Sequence, residues 1–358
     1  MSAYLSKRYE GLTPYTPGEQ PQDQQYVKLN TNESPFPPSP LAQRLARQAA
    51  GDLQLYSDPE CRKLIPIAAE ALGVKEDQIL FSNGSDEMLG YAFMAFCDED
   101  TPAVFPDISY GFYTVFADIN RVPQRQIPLT EDFRIDPKDY FGAGGTVVIA
   151  NPNAPTGLAL SLEEIESIVK ENPDNVVIID EAYVDFGCES AVGLIDKYEN
   201  LLVIQTCSKS RSLAGGRLGF AMGNAGLIRD LDTIKYSLNP YNVNSMTMAA
   251  GIGAFLDREY FDMCREKIME TRAYAKKALE DLGFECLDSK SNFLFVRHPA
   301  VNAEFIYMRC KDRGVLIRHF TLSRIKDFNR ITIGTKEQMD ILFKTLKTVM
   351  EERRDEER

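Results

Sequence analysis

The sequence predicts an α/β protein, with a mostly parallel central sheet flanked by helices in a large domain and a smaller α+β domain after it. Three observations carry this. From about residue 78 to 235, short apolar runs alternate with helical stretches, the pattern of a sheet covered on both faces. Several of those runs are apolar throughout, as buried parallel strands are. From residue 284 onward, short strands mix with helices without that alternation. The expected domains are an N-terminal arm and start of the small domain at 1–45, a large domain at 46–255, and a small domain at 256–358.

Residues 1–45 are Pro-rich and polar, with little periodicity, and read as an extended arm. At residues 82–87, small polar residues (Ser82, Gly84, Ser85 and Asp86 among them) open an apolar helical stretch. Such a start either caps its own helix or offers backbone N–H groups to an anion. The apolar run 146–150 leads into the stiff turn Asn151-Pro152-Asn153-Ala154-Pro155, where two prolines fix φ. Ser161 and Glu164 then form a capping box for a helix through Val169. The run 176–179 ends in Asp180, and the run 201–204 leads into Thr206, Cys207, Ser208 and Lys209. Helices are expected at 245–256 and 259–282, the second closed by Gly283. Strands follow at 293–297, 315–318 and 330–333, with helices at 302–312 and 336–352 and a solvated charged tail at 351–358.

Lys209 is the most informative residue. A strand that ends in a small polar cluster delivers its amine to the carboxyl edge of the sheet, where open α/β folds place ligands. An amine that attacks a carbonyl must spend time neutral, which burial favours. Thr206, Ser208 and, across a Gly-rich turn, Arg217 supply hydroxyls and a fixed cation. For an isolated Ser-Lys pair, a solvated lysine in a polar loop is the commoner outcome. Three other segments shift the balance toward a pyridoxal-phosphate site. Asp180 is costly to bury without a cation, and a protonated pyridine nitrogen is one. Tyr183, three residues on, is within reach of that ring's phenolic oxygen. The stiff turn at 151–155 can hold a side-chain amide against a ligand, and the helix start at Gly84, Ser85 and Asp86 suits a phosphate.

The order and spacing of these four segments resemble the fold-type I pyridoxal-phosphate-dependent aminotransferases, and more closely the histidinol-phosphate aminotransferases. Leu29-Asn30-Thr31-Asn32-Glu33, Leu55-Tyr56-Ser57-Asp58-Pro59, Ser109-Tyr110-Gly111-Phe112-Tyr113 and Ser291-Asn292-Phe293 carry the resemblance, with the segments around Arg318 and Arg330. It runs from about residue 15 to 350. It implies that Tyr110 stacks on the cofactor ring and that Tyr56 reaches the phosphate from the other subunit of a homodimer with shared active sites. It also implies that Tyr15, Asn32, Arg318 and Arg330 contact the substrate, and that the N-terminal arm crosses to the partner. Ala154 stands where the broader superfamily has asparagine, so the contact to the phenolic oxygen is expected from Asn153. Ser210-Arg211-Ser212 replaces a small-aromatic pair, which puts Arg211 at the pocket rim.

Composition agrees with a globular enzyme. The chain has 358 residues and is 44% hydrophobic, enough for two cores. With 40 basic and 53 acidic residues its net charge is −13, which argues against nucleic-acid and anionic-membrane partners. Two histidines and seven scattered cysteines leave no metal site and no disulfide framework, and the expected compartment is a reducing cytoplasm. No signal-peptide pattern is present, and no run approaches ~18 apolar residues. The resemblance implies transamination between histidinol phosphate and 2-oxoglutarate, a small-molecule amino donor and a 2-oxo acid. An aromatic amino-acid transaminase or a threonine-phosphate decarboxylase would use Lys209 and Asp180 in the same way. A non-catalytic pyridoxal-phosphate-binding protein is disfavoured because lysine, aspartate and arginines are all present.

Overall fold

A computed structural model describes residue 2 and residues 4–356. Seven strands form the central sheet in the order Ile79–Ser82, Gly219–Gly223, Leu201–Thr206, Val177–Asp180, Thr146–Ala150, Ala103–Pro106, Gln124–Ile127. All run parallel except Gly219–Gly223, which is antiparallel to both neighbours. The apolar runs are strands because both faces are covered: every residue from Val177 to Asp180 and from Leu201 to Thr206 is buried. Side chains alternate between two cores. Ile149, Ile179, Val203 and Met222 join one, and Val148, Ile178, Leu202 and Ala221 the other.

The register puts the carboxyl ends of the parallel strands on one edge. Ala150 lies opposite Asp180, Asp180 opposite Ile204, and Thr206 opposite Gly219, which in turn faces Ser82. The loops after Ser82, Pro106, Ala150, Asp180 and Thr206 therefore converge, with the loop that enters Gly219 from Arg217.

The small domain has its own core, including Leu294, Ile331, Leu342 and Leu346. Its antiparallel sheet runs Arg318–His319, Asn329–Thr332, Phe293–Arg297, Glu285–Cys286. The strand expected at 315–318 divides at Ile317: Val315–Leu316 pairs instead, in parallel, with Val27–Lys28 from the N-terminal segment. The expected arm is also partly helical. Ser39 caps a helix at Pro40–Ala49 with proline in its first turn, and the helix packs on Ser245–Leu256. The long helix spans Arg258–Asp281, and Gly283, at φ 87°, closes it as expected. The charged tail continues the last helix, Lys336–Glu356, and residues 357 and 358 lie outside the described residues. Among the described residues no helix is long and apolar enough to cross a membrane.

The Pro40–Ala49 and Ser245–Leu256 helices touch at Gly253, where an added Cβ would lie 2.5 Å from the Ala42 backbone. Gly253→Ala is therefore expected to destabilise by about 1–3 kcal/mol through overpacking, in spite of alanine's better helix propensity. Thermal unfolding checks it against Gly193→Ala, whose Cβ meets nothing within 4 Å. Equal melting temperatures for the two variants would show that the helices part easily.

Candidate active site

Asp180 is buried at 4% exposure and has no cationic partner among the described residues. Its Oδ2 accepts from the Tyr113 hydroxyl at 2.8 Å, and its Oδ1 from the Ala182 N–H at 3.3 Å. Burial pushes its carboxyl up to about 6, against the pull of those two donors. Tyr113, fully buried, is a site residue that the sequence reading passed over. Its signal was the three-residue spacing from Tyr110, which sets the two rings edge to face with centroids 5.7 Å apart.

Lys209 is partly open to the cleft, and its amine is enclosed by protein. Desolvation, then Arg330, lowers it from 10.5 to about 8. Its Nζ donates to the Thr31 carbonyl at 3.2 Å. Two more cations also rest on carbonyls of the N-terminal segment: Arg330 on Asn30 at 3.0 Å and Arg318 on Pro17 at 3.4 Å. Pro17, Asn30 and Thr31 thus face the cleft of their own chain. Arg318 and Arg330 are direct cross-strand partners. Like charges so placed destabilise a sheet unless something anionic joins them. Arg330 Nε is buried without a hydrogen-bond partner among the described residues.

On the other side, Gly84 begins the Ser85–Phe96 helix at φ 85° and ψ 159° with no side-chain cap. Neither Ser85 nor Asp86 caps this helix, and its first-turn N–H groups face the converging loops. The Gly84 backbone conformation is open to glycine alone, and the missing Cβ lets the Arg217 guanidinium approach to within 2.4 Å of where it would stand. Arg217 pairs with Asp86 Oδ2 at 2.9 Å, and Asp86 Oδ1 accepts from the Tyr110 hydroxyl at 2.6 Å. Thr206 donates to the Ser208 hydroxyl at 2.9 Å and accepts from the Ser208 N–H at 3.1 Å.

Tyr183 accepts from Asn32 Nδ2 at 3.0 Å, and Thr332 fixes Asn32 by accepting its N–H and donating to its Oδ1. Tyr15 stacks on Phe112 at 4.2 Å and lies 6.0 Å from the Tyr110 ring. Asn153 ties its own loop to the loop after Pro106. Its Nδ2 donates to the Ile108 carbonyl and Thr156 hydroxyl, and its Oδ1 accepts from Ser109.

Tyr56, expected to serve the other subunit's site, and Arg211 lie away from these residues. Tyr56 is 83% exposed and stacks on Tyr241 at 4.6 Å, apart from the residues above. Arg211 is not at the rim. It sits between the rings of Phe255 and Phe261, 4.2 Å from each centroid, and donates to the Ala254 carbonyl. Two aromatic faces and a carbonyl satisfy its charge better there than an open edge would.

A buried carboxylate lacking a cation, a lysine with a depressed pKa, and a helix start facing an arginine fit pyridoxal phosphate. The family model for aminotransferase class I and II matches residues 24–346, and the chain belongs to that family. It is 48% identical to the histidinol-phosphate aminotransferase of Brachyspira hyodysenteriae, over 98% of this chain and 99% of that protein. Identity is also 48% to histidinol-phosphate aminotransferase 1 of Bordetella parapertussis, with the same coverage. The fold matches histidinol-phosphate aminotransferase from Sinorhizobium meliloti, solved in complex with pyridoxal-5'-phosphate. There the TM-score is 0.89 at 24% identity, covering 98% of this chain and 99% of that one. The family's enzymes depend on pyridoxal phosphate and act on an amino donor and a 2-oxo acid.

A lysine that titrates near 10.4 when unfolded and about 8 in the fold opposes folding below pH 8, and this penalty fades as pH rises toward 10.4. In the cofactor-free protein, Lys209→Met should therefore be more stable than wild type at pH 7.5 by about 1–3 kcal/mol, with the gap shrinking by pH 10. Urea unfolding at the two pH values measures this. A variant less stable than wild type at pH 7.5 would show that Lys209 is not desolvated.

Proposed function

We propose that the chain catalyses transamination between histidinol phosphate and 2-oxoglutarate, giving imidazole-acetol phosphate and glutamate, in histidine biosynthesis. The observation that carries the substrate reading is the facing pair Arg318 and Arg330. Their mutual repulsion is relieved by an anion, and a phosphate dianion uses two forked guanidiniums better than a carboxylate does. The two relatives at 48% identity over nearly the whole chain support the same substrate.

In this reading Gly84 and Ser85, with the Asp86 N–H, Thr206, Ser208 and Arg217, hold the cofactor's phosphate. The Asp86 side chain orients Arg217 and Tyr110. Lys209 bonds the cofactor's aldehyde carbon. Asp180, held by Tyr113, keeps the ring nitrogen protonated. Tyr183 hydrogen-bonds the phenolic oxygen, Tyr110 stacks on the ring face, and Asn153 reaches the same oxygen by giving up its bond to Thr156. Pyridoxal phosphate, when bound, supplies the electron sink that makes the donor's α-proton acidic. Lys209 Nζ, when neutral, would take that proton as general base and give it back as general acid. Arg318 and Arg330 grip the donor's phosphate, Asn32 orients the donor, and Tyr15 covers it. Arg330 also grips the α-carboxylate of glutamate in the return half-reaction.

The working unit in this reading is a cytoplasmic homodimer, in which Tyr56 of the partner subunit completes the phosphate site. The exposed, stacked rings of Tyr56 and Tyr241, with exposed Leu53 and Leu55 next to Tyr56 in the chain, support a covered apolar face. All seven cysteines are free thiols, in keeping with a reducing compartment.

Half-reactions followed by absorbance test the substrate. Arg318→Ala should lower kcat/KM for histidinol phosphate about tenfold to a hundredfold and leave phenylalanine much less affected. Equal losses for both donors would point to a general aromatic transaminase. Release of carbon dioxide from threonine phosphate by the unmodified enzyme, without transamination, would point to the decarboxylase.

A further inference from the structure

The two walls of the cleft come from different domains, and one arginine outside the cleft joins them. Arg324 lies on the small-domain segment between Arg318–His319 and Asn329–Thr332, the strands that carry the facing arginines. Its Nη1 donates to Asp107 Oδ2 at 2.9 Å, and its Nη2 to the Leu129 and Thr130 carbonyls, each at 2.9 Å. Its guanidinium stands 5.8 Å from the Phe133 ring centroid. Asp107 Oδ1 accepts from the Leu129 N–H at 2.9 Å, so one carboxylate binds both the arginine and the loop the arginine grips.

Around this fork lies a small apolar cluster in which Ile108 and Leu129 of the large domain meet Phe295, Ile325 and Phe328 of the small one. Both ends lead directly to the site. Asp107 is three residues before Tyr110, and the Ile108 carbonyl accepts from Asn153. Phe320, packed on the cluster, lies 5.9 Å from both the Arg318 and the Arg330 guanidiniums.

We infer that Arg324, through Asp107, is a positioning residue that sets the spacing between the aromatic wall at Tyr110 and the anion-binding wall at Arg318 and Arg330. A forked guanidinium bound to a carboxylate and two carbonyls has one low-energy geometry, which a lysine does not reproduce. The contact touches neither cofactor nor substrate. It acts on substrate affinity, because in this reading none of the residues that hold the cofactor lies on the small domain, which carries the anion grip. This inference rests on the reading of Arg318 and Arg330 as the substrate's anion grip.

The test compares Arg324→Ala, Arg324→Lys, Asp107→Asn and the Asp107→Asn/Arg324→Lys pair with wild type, all loaded with pyridoxal phosphate. KM for histidinol phosphate and for 2-oxoglutarate should both rise about tenfold in Arg324→Ala, the scale on which contacting residues couple, while kcat changes by less than about threefold. Cofactor affinity by absorbance titration should not move, and the paired variant should be no worse than its worse single member. Amide hydrogen exchange of residues 319–328 without substrate should be at least about tenfold faster in Arg324→Ala. Unchanged KM and unchanged exchange would overturn the inference. So would a loss of cofactor affinity in step with KM, which would mark Arg324 as general scaffolding. If wild type turns over no donor, the substrate reading fails and exchange alone decides: faster exchange keeps the link between the walls, and unchanged exchange removes it.

Discussion

The site depends on one buried negative charge that the chain does not neutralise. Asp180 ends a strand in the middle of the sheet, where water is excluded, and among the described residues receives only a tyrosine hydroxyl and one N–H. A carboxylate so placed either takes up a proton or acquires a cation. The cations nearby, Lys209, Arg217 and Arg330, are engaged elsewhere, by carbonyls of residues 30 and 31 and by Asp86. What is left is a site with a positive rim and a negative floor, complementary to a ligand with anionic phosphate and a basic ring nitrogen. Tyr113 keeps the floor at a pKa of about 6, rather than higher, so that the carboxylate remains available near neutral pH.

The rest of the fold serves that arrangement. Five parallel strand ends and the start of one antiparallel strand bring the loops together, and the register fixes which residues face one another. The N-terminal segment closes the other side: its carbonyls at Pro17, Asn30 and Thr31 receive Arg318, Arg330 and Lys209. Glu19 pins this segment to the small domain through Tyr307, at 2.5 Å, and Lys311. A chain with net charge −13 thus concentrates positive charge on the walls of this cleft.

Much of this was legible in the sequence because it rests on local rules. Continuous apolar runs gave the buried strands, the Ser161–Glu164 capping box and Gly283 marked helix ends, and Lys209 and Asp180 stood at strand ends. What was not legible depends on contacts between distant segments. Nothing local shows that the strand near Arg318 divides between two sheets, since Val27–Lys28 competes for Val315–Leu316 from nearly 290 residues away. The hydroxyl of Tyr113 reaches Asp180 across 67 positions. Arg211 was expected at the rim because Ser210-Arg211-Ser212 stands where the family has a small-aromatic pair after the lysine, but the rings that hold it come from helices that begin at Ser245 and Arg258. The helix at Pro40–Ala49 was hidden within a Pro-rich stretch, although Ser39-Pro40 is a start signal.

Asp180 is expected to obtain its missing cation from the cofactor's ring nitrogen. The most direct measurement is the nitrogen-15 chemical shift of ring-labelled pyridoxal phosphate bound to wild type and to Asp180→Asn at neutral pH. The ring nitrogen should be protonated in wild type and unprotonated in the variant, with transamination falling by orders of magnitude alongside. An unprotonated nitrogen in the wild-type enzyme would contradict that expectation.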